Sequence, residues 1–179
     1  MRKIALLATL ALMAVPAIAL AADSPSSSDQ ASAAKLCSSQ RTAMGAPAFT
    51  ALYGTNAARS NAFGQCVSKL ARAQEQNRLN AAKQCTAEQS DASFAANHGG
   101  KSFDQLYGSG KNGKNAFGKC VSTKAEAASE AQQQATVNAA KACKAERGAD
   151  AAAFKTKYGT GKTKANAFGK CVAAKAKTQ

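Results

Sequence analysis

Tryptophan is absent from the chain, histidine occurs once, at His98, and only 10 acidic residues stand against 24 basic ones. One histidine, with no G-x-S-x-G, leaves a nucleophilic triad without a base that recurs through the chain. The same scarcity, together with the lack of any C-x-x-C or C-x-x-C-H, argues against zinc, haem attachment and redox-active thiols. His98 itself reads as a solvated loop residue. Large apolar side chains are few and aromatic residues make up only 6% of the chain, so any core is thin and needs covalent help. Beyond the first 21 residues no run is apolar enough to cross a membrane.

Those first residues, MRKIALLATLALMAVPAIALA, carry two basic residues, an apolar run, Pro16 and a small-residue close at Ala19-Leu20-Ala21. They predict a secretory signal peptide over 1–21, cleaved after Ala21 or one residue later. Without Arg2 and Lys3, 22 basic residues face 10 acidic ones, leaving about +12 on an exported, periplasmic or extracellular chain. Such a charge bears on partners and solubility rather than on fold.

What is present is repetition. N-A-F-G-x-C-V occurs at 61–67, 115–121 and 166–172. An aromatic pair precedes each copy: Phe49 and Tyr53, Phe103 and Tyr107, Phe154 and Tyr158, the tyrosine always followed by glycine. Further upstream A-A-K-x-C ends at Cys37, Cys85 and Cys143. Spacing from tyrosine to the motif asparagine is constant. Only the segment after the first cysteine changes length, and in the second copy an insertion around Asn97-His98-Gly99-Gly100 marks a surface loop.

The text between copies is rich in Ala, Gln, Glu, Lys and Arg, which are strong helix formers. Asn61, Asn115 and Asn166 suit N-caps, and Phe63, Cys66, Val67 and Leu70 fall on one helical stripe. In the later copies Lys124 and Lys175 replace Leu70, so the stripe is narrow. Helices are predicted near 29–43, 62–90, 116–147 and 167–176. Each F-x-x-x-Y-G predicts a short helix with both rings on one face, ended by glycine in the left-handed conformation. The fold class is all-α: three tandem disulfide-stapled helical repeats joined by long continuous helices. The expected boundaries are a flexible Ser-rich segment at 22–32, repeat 1 at 33–67, a connector at 68–80, repeat 2 at 81–121, a connector at 122–138, and repeat 3 with a basic tail at 139–179. Whether the repeats stack into a rod or fold back is open at this level.

Six cysteines in an exported chain predict disulfides, with fifteen conceivable pairings. If 66–85 is one helix, its end cysteines stand about 28 Å apart, whereas a bridge needs α-carbons within about 7 Å. Geometry of this kind removes many of the fifteen, and pairing inside each repeat is the better choice: Cys37 with Cys66, Cys85 with Cys120, Cys143 with Cys171. Each closes a loop of about 30 residues, worth roughly 3–4 kcal/mol.

Other chemistry is thinly represented. Gly161-Lys162-Thr163 echoes the end of a phosphate-binding loop, but Thr156 stands where a glycine is required. Asp91, Asp104, Glu126, Glu130, Glu146 and Asp150 do not occupy matching repeat positions as paired catalytic carboxylates would, and read as mostly solvated charges. Phe63, Phe117 and Phe168, with the F-x-x-x-Y pairs, read as core rather than as a ligand platform. The six-residue loops before the motif asparagines are polar and basic and deliver the chain to helix N-termini, which favour anions. Arg59, Lys111, Lys114, Lys162, Lys164 and the adjoining Lys170 are the candidate anion-binding residues, on loops expected at one end of the three units. From Lys141 on, ten basic residues face two acidic ones, so the C-terminal third is the expected electrostatic footprint. No aromatic stacking pattern accompanies it, which speaks against sequence-specific nucleic-acid recognition.

The string Y-G-x(7)-N-A-F-G-K-C-V, preceded by A-A-K-x-C-x-x-E, resembles a repeat of uncharacterised exported bacterial proteins. The match spans most of the mature chain; copy one departs at Gln65 and at Gln40, where Glu88 and Glu146 stand in the others. The resemblance implies export and repetition and carries over no catalytic residue, cofactor or metal ligand. The expected function is that of a non-enzymatic, cationic protein associating with anionic envelope or extracellular polymers. The alternative is a secreted effector or inhibitor that binds a protein partner through the insertion at 93–102.

Overall fold

The computed structural model describes residues 25–110 and 112–178, so the expected signal peptide and Lys111 lie outside the described residues. Among the described residues eight helices follow in order: α1 (Ser27–Met44), α2 (Ala46–Tyr53), α3 (Ala62–Ser90), α4 (Phe94–Asn97), α5 (Phe103–Tyr107), α6 (Ala116–Ala149), α7 (Ala151–Tyr158) and α8 (Ala167–Ala176). The fold is all-α, and no strand occurs among the described residues beyond one isolated bridge, Ser109 with Lys114. The two long helices run through the repeat boundaries uninterrupted, as the absence of Gly and Pro between Cys66 and Cys85 and between Cys120 and Cys143 requires. At its start α1 departs from expectation. Ser26 and Asp29 form a capping box, so the helix already contains residues 27–32 of the segment expected to be flexible.

Each repeat begins its short aromatic helix by a different local device. Gly45 at φ +82° turns the chain into Pro47 and α2. Ser102 and Gln105 make a capping box for α5. Asp150 accepts from the backbone N–H of Ala152 and Ala153 at the start of α7, both at 2.9 Å.

All three bridges join cysteines of the same repeat: Cys37–Cys66, Cys85–Cys120 and Cys143–Cys171, each with α-carbons 6.0 Å apart. Every bridged cysteine is fully buried. The bridges tie α1 to α3, α3 to α6 and α6 to α8, so these four helices run alternately up and down.

That alternation settles how the repeats pack. α3 carries the chain about 40 Å from repeat 1 to repeat 2, and α6 brings it back along α3. Repeats 1 and 3 meet there, and α2 packs on α8. Phe49, Tyr53, Phe154, Phe168 and Val172 belong to one core with the disulfides of both repeats. Repeat 2 keeps a separate small core at the far end, built from Phe94, Phe103, Ala116 and its disulfide. The molecule is a folded-back hairpin rather than a rod.

The insertion of repeat 2 is not merely a surface loop. Its α4 places Phe94 in the repeat-2 core, 5.6 Å from the Phe103 ring. His98 is exposed but stacks on Phe94 at 4.0 Å, and its Nδ1 lies 2.8 Å from the Phe94 carbonyl oxygen.

Three expectations about single residues are corrected. The glycine after each tyrosine is not left-handed: Gly54, Gly108 and Gly159 have φ of −69°, −71° and −79°. Glycine stands there because the loop doubles back on it. A Cβ on Gly54 would meet Arg59 Cβ at 2.5 Å, and one on Gly159 would meet Lys164 Cβ at 2.5 Å. The motif phenylalanines also part company. Phe168 is buried at 4% exposure, whereas Phe63 and Phe117 are both 39% exposed. Phe168 sits inside the contact between repeats 1 and 3, a burial that depends on the fold-back rather than on the repeat itself. Finally, Asn61, Asn115 and Asn166 occupy N-cap positions without capping their helices.

A candidate anion-binding cleft where two repeats meet

The loops before α3 and α8 are held by the motif asparagines from behind. Asn61 Oδ1 accepts from the Thr55 N–H at 3.0 Å while its Nδ2 donates to Thr55 Oγ1 at 2.7 Å. Asn166 repeats both bonds with Thr160, at 3.0 and 2.6 Å. These asparagines therefore fasten the loop instead of satisfying the helix N-terminus. In repeat 2 serine replaces the threonine, Asn115 is left-handed at φ +65°, and the loop closes through Ser109 N–H to the Lys114 carbonyl at 3.2 Å.

One loop position turns left-handed in every repeat: Arg59 at φ +55°, Gly113 at +59° and Lys164 at +49°. At this position lie two of the expected anion-binding residues, and their environments are now explicit. The Arg59 guanidinium donates to the Ala51 carbonyl at 2.8 Å, near the end of α2, and to the Ala165 carbonyl of repeat 3 at 2.9 Å. It thus clamps two repeats together while keeping its charge at their junction. Lys164 is half-buried beside it, with Nζ 3.4 Å from Thr156 Oγ1.

Arg59 and Lys164 line a cleft of about 280 Å³ together with Arg147 and Lys155. Arg147 lies over the face of Phe168, 5.1 Å from the ring centroid. Among the described residues no carboxylate forms an ion pair with any of these four cations. Four uncompensated positive charges at one concave surface raise the local concentration of anions. Arg147 and Lys155 were not among the residues expected from sequence; both join the cleft only because repeat 3 docks on repeat 1.

The three basic loops do not gather at one end. Lys114, on repeat 2, lies at the far end of the hairpin, about 40 Å from the cleft along α3. Lys162 and Lys170 are exposed residues of repeat 3 that do not line the cleft.

A second set of polar contacts recurs at each disulfide. Three residues after the first cysteine, Glu88 accepts from Tyr107 Oη at 3.0 Å and pairs with Lys124 at 2.9 Å. Glu146 accepts from Tyr158 Oη at 3.1 Å and pairs with Lys175 at 3.3 Å and Lys157 at 2.8 Å. In repeat 1 the same place holds buried Gln40, which accepts from Tyr53 Oη at 2.6 Å, and Leu70 replaces the lysine. Burial pushes the Tyr53 phenol up to about 12 despite that hydrogen bond. Contrary to the sequence reading, Glu146 is therefore a repeat-matched carboxylate with Glu88 as its counterpart, and its contacts are structural.

These clusters set an acid limit on stability. Burial alone would raise Glu88, but hydrogen bonds from Lys124 and Tyr107, with the positive charges of Lys124 and His98, outweigh it and lower its pKa. Glu146 is lowered chiefly by the Lys157 hydrogen bond, against a smaller opposing effect of burial. A folded pKa below the unfolded one, about 4.3 for glutamate, contributes stability above that value and loses it as pH falls through the folded pKa. Glu88→Gln should therefore flatten the fall in repeat-2 stability below about pH 4.3, as measured by hydrogen exchange of α5 and the start of α6. Repeat 1, built on Gln40, should show no such dependence from this position.

Among the described residues no cluster of His, Cys, Asp and Glu suits a metal ion, and no helix is long and apolar enough to cross a membrane. The closed disulfides suit an oxidising compartment. No protein-family model, curated protein or solved structure matches the chain.

Proposed function

We propose that this is an exported, non-enzymatic binding protein that holds anionic envelope or extracellular polymers at the cleft between repeats 1 and 3. The observation that carries the reading is the convergence of Arg59, Arg147, Lys155 and Lys164 on one depression with no carboxylate to neutralise them. Two of the four are oriented beforehand, Arg59 by backbone carbonyls and Arg147 by the Phe168 ring, so little order is lost when an anion arrives. Lys162 and Lys170, nearby in repeat 3, extend the positive surface over which a chain of sulfate, phosphate or carboxylate groups would lie.

Retention on heparin and on anionic cell-wall material tests this directly. The wild-type protein should bind at low salt and elute steeply as ionic strength rises, because exposed charges are screened over about 8–10 Å. Lys155→Glu with Lys164→Glu should shift elution to clearly lower salt, whereas Lys114→Glu, at the far end, should have a much smaller effect. Salt-insensitive retention, or equal shifts from both variants, would reject the assignment.

A further inference from the structure

The surfaces that repeats 1 and 3 press together recur, uncovered, elsewhere in the molecule. In the internal contact Leu52 of α2 lies against Gly169 at the start of α8, and the adjoining Phe168 is reduced to 4% exposure. Leu52 thereby packs on the shared core. The contact runs one way. Its donor is the leucine just before the aromatic-pair tyrosine, and its receiver is the Phe-Gly of N-A-F-G-x-C-V.

Repeat 3 carries Lys157 at the leucine position and offers no such donor. Repeat 2 carries Leu106, which is 37% exposed and belongs to neither core. Receivers are left over as well. Phe63 and Phe117 are equally exposed, and a Cβ added to Gly64 or Gly118 would meet no atom within 4 Å. Where the donor leucine arrives, in repeat 3, the phenylalanine is buried; where none arrives, it stays in solvent. Leu106 cannot reach Phe63 of its own chain, because α3 holds the two ends of the hairpin about 40 Å apart.

Charge selects between the two receivers. In the internal contact Thr50 of the donor helix and Arg147 of the receiving repeat line the same cleft. On α5 the place of Thr50 is taken by Asp104. The place of Arg147, four residues after the first cysteine, is Arg41 in repeat 1 but Gln89 in repeat 2. Asp104 and Arg41 are both exposed, and neither forms an ion pair among the described residues. Docking α5 on repeat 1 therefore brings opposite charges together, and docking it on repeat 2 does not.

We propose that the partner of α5 is a second copy of this chain: Leu106 of one molecule docks on Phe63 and Gly64 of the next, with Asp104 facing Arg41. The contact repeats between molecules the one that repeat 1 makes with repeat 3 inside each. Because donor and receiver are different surfaces at opposite ends of the hairpin, a pair leaves one of each free and molecules add head to tail. The inference does not depend on what the cationic cleft binds.

Sedimentation velocity of the oxidised mature protein tests it, over a concentration series reaching the millimolar range and at an ionic strength that screens the net charge. The sedimentation coefficient should rise with concentration without settling at a dimer. Leu106→Lys, which installs the residue that repeat 3 carries in its place, and Phe63→Ala should each leave a monomer throughout, with unchanged helical circular dichroism. Phe117→Ala should still assemble. Mixing the Leu106 and Phe63 variants should give a one-to-one dimer that grows no further, because the first keeps only its receiver and the second only its donor. If Leu106→Lys does not fold, Phe63→Ala against Phe117→Ala still decides. A wild-type chain that stays monomeric, assembly that survives either folded variant, loss of assembly in Phe117→Ala, or a mixture of folded variants that remains monomeric would overturn the proposal.

Discussion

Replacing Cys143 and Cys171 by alanine should lower the unfolding free energy by about 3–4 kcal/mol, the value expected for opening a loop of about this length. Native stabilities are commonly about 5–15 kcal/mol, so the loss is a large share of the total. Its reach should exceed repeat 3. The Cys143–Cys171 bridge is buried in the core that also contains Cys37, Phe49 and Cys66, so α2 and the start of α3 should become less protected in hydrogen exchange along with α8. Removing Cys85–Cys120 should be different: repeat 2 has its own core, and the added exchange should be confined to α4, α5 and the adjoining ends of α3 and α6. Uniform loss of protection from either change would mean that the two cores are one.

The motif phenylalanine gives the second large effect, through a contrast between sites that the repeat makes identical. Phe168→Ala should cost about 3–5 kcal/mol, the usual penalty for emptying a buried aromatic site. Phe63→Ala and Phe117→Ala should cost about 1 kcal/mol or less, because over a third of each residue is in solvent. Urea unfolding of the three variants measures the difference. Equal costs would show that the motif residue serves the same packing role in all three copies.

Much of the scaffold follows from local rules. Long helices near 62–90 and 116–147 are expected from the Gly- and Pro-free runs of good helix formers between the cysteines, the second extending in the structure to Ala149, and the length of the first forbids Cys66 from reaching Cys85. That exclusion favours bridges within each repeat, where the structure places them. What was not legible depends on contacts between distant residues. The burial of Phe168 but not Phe63 or Phe117 is decided where α8 lies on α2, and nothing inside the N-A-F-G-x-C-V motif encodes that. The cleft has the same origin, since Arg147 and Lys155 belong to helix faces that become adjacent to Arg59 only after the fold-back.

Other features were visible as letters but not as geometry. Gln40 with Leu70, Glu88 with Lys124, and Glu146 with Lys175 change together between repeats. The structure shows why: the carboxylates gain a lysine, and the neutral amide lies in a buried site where a charge would be costly. The glycine after each tyrosine reads from sequence as a left-handed helix end, because a close approach by a residue five positions later leaves the same mark in sequence as a left-handed turn. The motif asparagine likewise suits an N-cap by composition, yet in repeats 1 and 3 a threonine six residues earlier captures its side chain.

The docking of repeat 1 on repeat 3 creates the cationic cleft. Its most direct test is nuclear Overhauser contact between α2 and α8 in the oxidised protein. Gly169 lies against Leu52, where a Cβ on the glycine would be 3.9 Å from the leucine carbonyl oxygen, so cross-peaks between these two residues are predicted. A spectrum in which neither α2 nor α8 shows contacts outside its own repeat, and Leu52 and Gly169 show none with each other, would contradict the folded-back architecture and the cleft built on it.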